Sequence, residues 1–511
     1  MRKKLSLKNF ISSIIPYVIV LILGFVKVDV FLSSLGEDIY ALNQLFFQLF
    51  AYISLAEGGA TNYIIQLYYK HFVENNKEKI KEIYRSSVLF MRKIAMIVFI
   101  VGFGVSFFLK FLTNNNLSSF YMQIVFIIFI VRSCIEYLLM SPKLVMQADQ
   151  KLYKINIIYY IFKILELMFE IVLLKIGVDY ITTLISSTLL RTLSYVFINR
   201  KVFKQYPWLK EKSNKNMVKI KGINNMFVHR IAEAIHYNTD IILVSSFLKP
   251  LVVTIYSSYN YITKYLTDGV DIVGNSMSAS VGNVIYKEDN ESKVKILDEL
   301  LILYLVFAVF FCSACFILIN SFIKLWIGSK YIIDSFSLIL IIINLFIVIA
   351  RKPLNIYFNS AGWYKETRLI VFLEAIVNLV FSLLLVKKFR LVGLLFGTLI
   401  SMLLTTFWYI PKFVWKDKLG QKLSIFFARY LLCFSFSAIL SFIGYNLINR
   451  ININSYIYWI FIAIIISIII GIIILIIFYL FSKSFRRLFN KIFALLHIRI
   501  LQRSIKNEKE I

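Results

Sequence analysis

Apolar residues fall along this chain in stretches long enough to cross a membrane, separated by short polar connections. At helical periodicity they predict about fourteen helices. The stretches are 11–31, 39–67, 87–109, 120–141, 155–174, 180–198, 224–247, 251–281, 298–323, 335–350, 366–386, 391–410, 425–448 and 456–481. Each is near the length that spans about 30 Å of hydrocarbon at 1.5 Å per residue, and 335–350 is short. The first run has no small-residue cleavage site and continues to Phe31, so a retained span is expected rather than a signal peptide. The expected fold class is an all-α polytopic membrane protein.

Ionisable residues interrupt about half of these runs. Lys27, Asp29, Glu57, Arg132, Glu136, Lys163, Glu166, Glu170, Arg191, Arg230, Glu233, Asp240, Lys264, Asp268, Asp271 and Glu374 all lie well inside. A charge at mid-bilayer depth costs roughly 2.5–3.5 kcal/mol even on lenient scales, so most of these residues are expected to line a shared water-filled space or sit near its ends. Arg92, Lys93, Asp298, Glu299, Arg368 and Arg429 fall near predicted cytoplasmic ends, where they can reach water.

The chain also repeats itself, at an offset of about 211–217 residues. Asp29 with Ser33-Ser34 matches Asp240 with Ser245-Ser246, and Tyr40 with Asn43 matches Tyr256 with Asn260. Pro142 with Ala148 and Lys151 matches Pro353 with Ala361 and Lys365, and Leu184-Ile-Ser186 matches Leu399-Ile-Ser401. An offset of six spans preserves orientation, so two parallel-repeat six-helix bundles are expected, related by an axis along the membrane normal. The predicted organisation is a bundle over 1–199, a basic cytoplasmic linker over 200–222, and a second bundle over 223–421. An appended helix pair over 422–482 and a basic amphipathic tail over 483–511 complete it. The tail is expected on the anionic inner leaflet.

Composition agrees with this picture. The 511 residues are 59% hydrophobic, with mean hydropathy +0.76, which excludes a soluble enzyme carrying a single anchor. The net charge of +29 does not point to nucleic acid, because most Lys and Arg fall in or beside alternate loops. That is the positive-inside bias, and it places both termini in the cytoplasm. Lys387, Lys388 and Arg390 dissent, since they fall in an outer loop. Cys312 and Cys315 form a C-x-x-C inside an apolar run, where they read as small packing residues.

Two spans carry the clearest polar faces. On 251–281, Tyr256, Asn260, Thr263, Lys264, Thr267, Asp271, Asn275 and Ser278 recur mostly every three or four residues. On 224–247, His229, Glu233, His236 and Asp240 share a face, open to three readings: path lining, structural hydrogen bonding or zinc. A hydrolytic metal centre lacks every other requirement here, so no metal and no cofactor are expected. Lys27, Arg191, Arg230 and Lys264 make an anionic substrate the expectation. Arg132 and Glu136, at i and i+4, are open to two readings: an ion pair along one helix or a lining of the polar space. Glu57, Glu233, Asp240 and Asp271 are candidate sites for a coupling H⁺ or Na⁺. Motifs for nucleotide hydrolysis, a serine nucleophile or a zinc protease are missing, so a transporter rather than an enzyme is expected.

Several motifs resemble those of bacterial polysaccharide repeat-unit flippases, a branch of the multidrug/oligosaccharidyl-lipid/polysaccharide exporter superfamily. Leu35-Gly-Glu-Asp-Ile-Tyr40 is similar to the family's "LG-x-x-x-YG" signature. The others are Glu57-Gly-Gly-Ala60, Asp240-Ile-Ile-Leu243 with Tyr256, Pro353 to Ala361-Gly362, and Glu374-Ala-x-x-Asn378 ahead of Leu383-Leu-Leu-Val386. Ala41 departs from the first motif, and Arg390-Leu-Val-Gly393 stands in place of "GI-x-G". The resemblance implies two bundles that rock between inward- and outward-open states. It implies polyprenyl-pyrophosphate-linked oligosaccharide as cargo, for O-antigen, capsule or another surface polysaccharide. Lys27, Arg191, Arg230 and Lys264 would meet the pyrophosphate, and Tyr256 and Asn260 the sugar hydroxyls. Membrane lipids, and a polysaccharide polymerase or chain-length machinery, are the implied partners. A peptidoglycan-precursor flippase or a multidrug exporter of the same superfamily is the alternative.

Overall fold

The computed structural model describes residues 2–57, 60–211, 224–448 and 451–491. Among these every regular element is helical: α1 (Arg2–Ile53), α2 (Ala60–Val73), α3 (Lys77–Ser106), α4 (Ser119–Leu139), α5 (Ser141–Ala148), α6 (Tyr153–Lys175), α7 (Tyr180–Gln205) and α8 (Asn224–Phe247) come first. Then follow α9 (Pro250–Lys287), α10 (Asn290–Trp326), α11 (Ser335–Ser360), α12 (Tyr364–Leu404), α13 (Thr406–Pro411), α14 (Leu423–Ile448) and α15 (Tyr456–Phe481). A π-helical turn, Lys412–Lys418, extends α13. This is a polytopic all-α fold.

Two of these helices are folded back. A straight helix as long as α1 would extend roughly 78 Å, more than twice the hydrocarbon thickness. Gly36, at φ +78°, breaks it, and the Phe31 ring meets Tyr40 across the turn at 5.7 Å. In α12 the break is at Arg390, φ +52°. There the two arms pack so closely that a Cβ on Gly397 would lie 2.7 Å from the Ser382 amide nitrogen. Nine helices, among the described residues, are long and apolar enough to cross a membrane, and the two folded ones each supply two predicted spans. Helices α6, α8 and α9 have span length but are diluted by the polar residues discussed below. Together these account for the fourteen predicted spans.

Side-chain caps explain where many helices begin. Asn76, Ser118, Asp179, Asp289, Asp334 and Ser455 each accept a hydrogen bond from the amide three residues on, satisfying a donor that the helix leaves unpaired. The hydroxyl of Thr182, followed by its amide, holds the Asp179 carboxyl below the ordinary carboxylate value.

The chain divides into two compact units, Met1–Thr254 and Ile255–Ile511. In the first, α1 packs on α6 and α8, α6 on α7, and α3 on α4. Tyr68, Ile64, Met91, Val145 and Ile198 form a buried core joining α2, α3, α5 and α7. In the second, α10 is flanked by α11, α14 and α15. The Ser313 hydroxyl donates to the Ser437 carbonyl at 3.2 Å, and a Cβ on Gly444 would overlap Ile317, so α10 and α14 meet nearly backbone to backbone. Trp459 ties α15 to α10 through Ser321 at 3.1 Å. The outward faces of α14 and α15, with Leu432, Phe442 and Ile457, are exposed and apolar, as lipid contact requires.

The structure describes the tail over 483–491. Phe485 and Leu488 are buried, and the Phe485 ring lies 5.9 Å from Phe478. Over 483–491 the apolar face is therefore docked on protein. Residues 492–511 and the core of the basic linker, 212–223, lie outside the described residues.

Candidate functional site

In the first unit, four helices bring ionisable side chains together. Lys27 comes from α1, Arg132 and Glu136 from α4, Lys163, Glu166 and Glu170 from one face of α6, and Arg191 from α7. The pairing runs between helices. Lys27 Nζ lies 2.6 Å from Glu170 Oε2, and Arg191 Nε lies 2.9 Å from Glu136 Oε1. Arg132 pairs with Glu166, which Lys163 approaches at 3.4 Å. An Arg132–Glu136 pair on α4 is thus replaced by two cross-helix pairs. A fully formed neighbour helix at the same depth offers a better-aligned carboxylate than a residue one turn along.

Four cations face three carboxylates here, leaving one net positive charge. Burial is graded. The Glu166 side chain is 3% exposed, whereas Lys27, Lys163 and Arg191 remain 22–24% exposed. The deep pair ties α4 to α6, and the shallower cations stay partly exposed. Lys143 on α5 adds another cation: its ammonium lies 4.8 Å from the Tyr159 ring centre and within electrostatic reach of Glu136 and Arg191. Sequence reasoning missed it because Lys143 follows Pro142 at a predicted helix end.

The acidic candidates of this unit are held locally. Glu57 accepts the Thr61 amide at 3.0 Å and the Thr61 hydroxyl, so it caps the start of α2. Asp240, on α8, is buried next to Thr239, whose hydroxyl meets that of Tyr52 on α1. The side chains of Arg230 and Glu233, and of His229 and His236, lie outside the described residues.

In the second unit α9 carries the described members of its predicted polar stripe, with the side chain of Asn275 outside the described residues. Tyr256 is buried, Asn260 half-buried and Lys264 exposed. Several hydroxyls turn back onto their own helix: Thr263 to the Tyr259 carbonyl, Thr267 to that of Lys264, and Ser278 to that of Gly274. Asp271 is paired with Lys352 on α11 at 2.5 Å, and Lys352 also donates to the Thr267 carbonyl at 3.4 Å. Next to it, Arg351 Nη1 lies 2.9 Å from Glu374 and 3.0 Å from the Thr406 hydroxyl, which itself bonds Glu374. Neither basic residue was picked from the sequence, because the apolar run ends at residue 350. The helix itself continues through Pro353 to Ser360.

No family model matches the sequence, and no curated protein matches it. Solved structures do match in fold. One is "Lipid II flippase MurJ, inward closed conformation", at TM-score 0.67 and 16% identity, covering 93% of this chain and 98% of that one. An inward-facing multidrug resistance MATE family transporter of the MOP superfamily gives 0.58 at 13% identity, covering 78% and 96%. The MATE multidrug transporter DinF-BH gives 0.54 at 13%, covering 82% and 96%. These matches share one architecture, and the chain has the membrane-transporter fold found in MurJ and in the MATE members of the MOP exporter superfamily.

Proposed function

We propose that this chain is a flippase that moves polyprenyl-pyrophosphate-linked oligosaccharide repeat units from the cytoplasmic to the outer leaflet of a bacterial inner membrane. Both termini are cytoplasmic in this reading, and the product feeds O-antigen, capsule or another surface polysaccharide. The observation that carries it is the excess of partly exposed cations at span depth in the first unit: Lys27, Lys163 and Arg191 against carboxylates that do not fully balance them. A cationic drug would be repelled by such a lining. A pyrophosphate is attracted, by about 4 kcal/mol per contact at 4 Å and an effective dielectric near 20, before desolvation. In this reading Lys27 of the first unit and Lys264 of the second help bind the pyrophosphate, with Arg191 and Arg230 in support. Tyr256 and Asn260 take sugar hydroxyls. A gradient, or removal of the product outside, drives net transport.

Peptidoglycan-precursor flipping is the second reading, favoured by the 93% coverage of this chain in the match to a lipid II flippase. Proteoliposomes separate these readings. Flipping of a fluorescent polyprenyl-pyrophosphate oligosaccharide should be fast and should be inhibited by excess lipid-linked oligosaccharide, but not by lipid II or a cationic dye. Transport of the dye, or inhibition by lipid II alone, would reassign the substrate.

A further inference from the structure

The Lys352 ammonium occupies an oxygen-lined seat. Its Nζ lies 2.5 Å from Asp271 Oδ1 and 3.4 Å from the Thr267 carbonyl oxygen, with a side chain only 11% exposed. Asp268, one turn before Asp271, lies within electrostatic reach of Asp271, Lys264 and Lys352. Carboxylate and main-chain carbonyl oxygens are the ligands that hard monovalent and divalent metal cations use. Two carboxylates and two ammoniums leave this group of four neutral. Arg351 cannot replace Lys352, since its guanidinium is committed to Glu374 and Thr406. Successive residues on a helix also do not share a face.

We propose that Lys352 is a tethered counter-cation: its ammonium takes the position at Asp271 that a mobile coupling cation would otherwise hold, and this makes the second unit indifferent to Na⁺. A tethered group acts at a high effective concentration, so external Na⁺ competes poorly with it. With Lys352 neutralised, Asp268 and Asp271 outnumber the remaining Lys264. The seat then keeps its oxygen ligands but lacks its cation. The inference rests on the transporter reading, giving Asp271 a fixed cation in place of a mobile one, and its test uses no glycan.

The test is thermal unfolding of the full-length protein in detergent, at constant ionic strength, with NaCl exchanged for choline chloride. The wild type should show no Na⁺-specific shift. Lys352→Met, which keeps the aliphatic stem, should gain a saturable stabilisation of about 2 °C or more between roughly 1 and 100 mM Na⁺. Adding Asp271→Asn to that variant should remove the gain. Lys352→Gln serves if the Met variant does not fold. A folded Lys352 variant without Na⁺ response overturns the proposal. So does a wild-type Na⁺ stabilisation that Asp271→Asn abolishes, a result available even if neither Lys352 variant folds. Failure of glycan flipping would leave these outcomes unchanged.

Discussion

Arg191 and Glu136 are joined at 2.9 Å although they belong to different helices, α7 and α4. The same pattern recurs between Lys27 and Glu170, and between Arg132 and Glu166. Ionisable residues that look unrelated in sequence therefore stand at matching depths on neighbouring helices. Each pair joins two helices, and its members differ in how far they remain exposed.

The depth of each pair sets its contribution to stability. Glu166→Gln should destabilise by about 3 kcal/mol, because it leaves Arg132 and Lys163 short of a buried carboxylate. Glu136, with a side chain 32% exposed, should lose less when changed to Gln, by about 1 kcal/mol or under. Denaturant unfolding in one detergent checks the ranking, and equal losses would contradict it.

The helix turns give a second contrast. Gly36→Ala should cost about 1–3 kcal/mol from its backbone alone, since φ +78° with ψ −177° is a conformation that only glycine adopts readily and nothing lies within 4 Å of the added carbon. Gly397→Ala should be far worse, because the new Cβ meets the Ser382 backbone. Arg390→Gly should stabilise, by relieving a positive φ in a residue with a Cβ. Melting temperatures should rank Arg390→Gly above the wild type, Gly36→Ala below it and Gly397→Ala lowest.

A further prediction concerns the tail. Lys491 lies 2.7 Å from Glu299, and Asp298 is engaged by Arg429, Ser484 and Arg487. Asp298→Asn with Glu299→Gln should release 483–491, and trypsin should then cut at Arg486 and Arg487 several-fold faster than in the wild type. Unchanged cleavage would mean that the apolar contacts of Phe485 and Leu488 hold the segment without the charges.

Topology can be read with single cysteines, since the four native ones are buried or half-buried. Asn116 and Glu288 are both exposed. A cysteine at 116 should react with an impermeant reagent outside intact cells, and one at 288 only after permeabilisation. The reverse pattern would place both termini outside.

Helix positions were largely legible from the sequence: the runs at 224–247 and 456–481 coincide with α8 and α15, because length and hydropathy alone set them. The partner of each charge was not. Hydropathy shows that Arg132 needs a carboxylate, but the choice of Glu166 over Glu136 depends on how α4 meets α6. Arg351 and Lys352 were hidden for another reason. An apolar run ends where charges begin, whereas α11 continues because its charges are paired within the protein. Asp271 stood out as an acid on a polar face, and its tethered cation became visible only once α11 packed against α9.

The central claim is that span-depth cations carry a lipid pyrophosphate across. Flipping of a polyprenyl-pyrophosphate oligosaccharide in proteoliposomes, compared between wild type and Lys27→Ala/Lys264→Ala, tests it most directly. The account predicts a loss of at least about tenfold with the protein inserted and folded, the effect of about 1.4 kcal/mol of lost binding. A double variant that flips at the wild-type rate would contradict it.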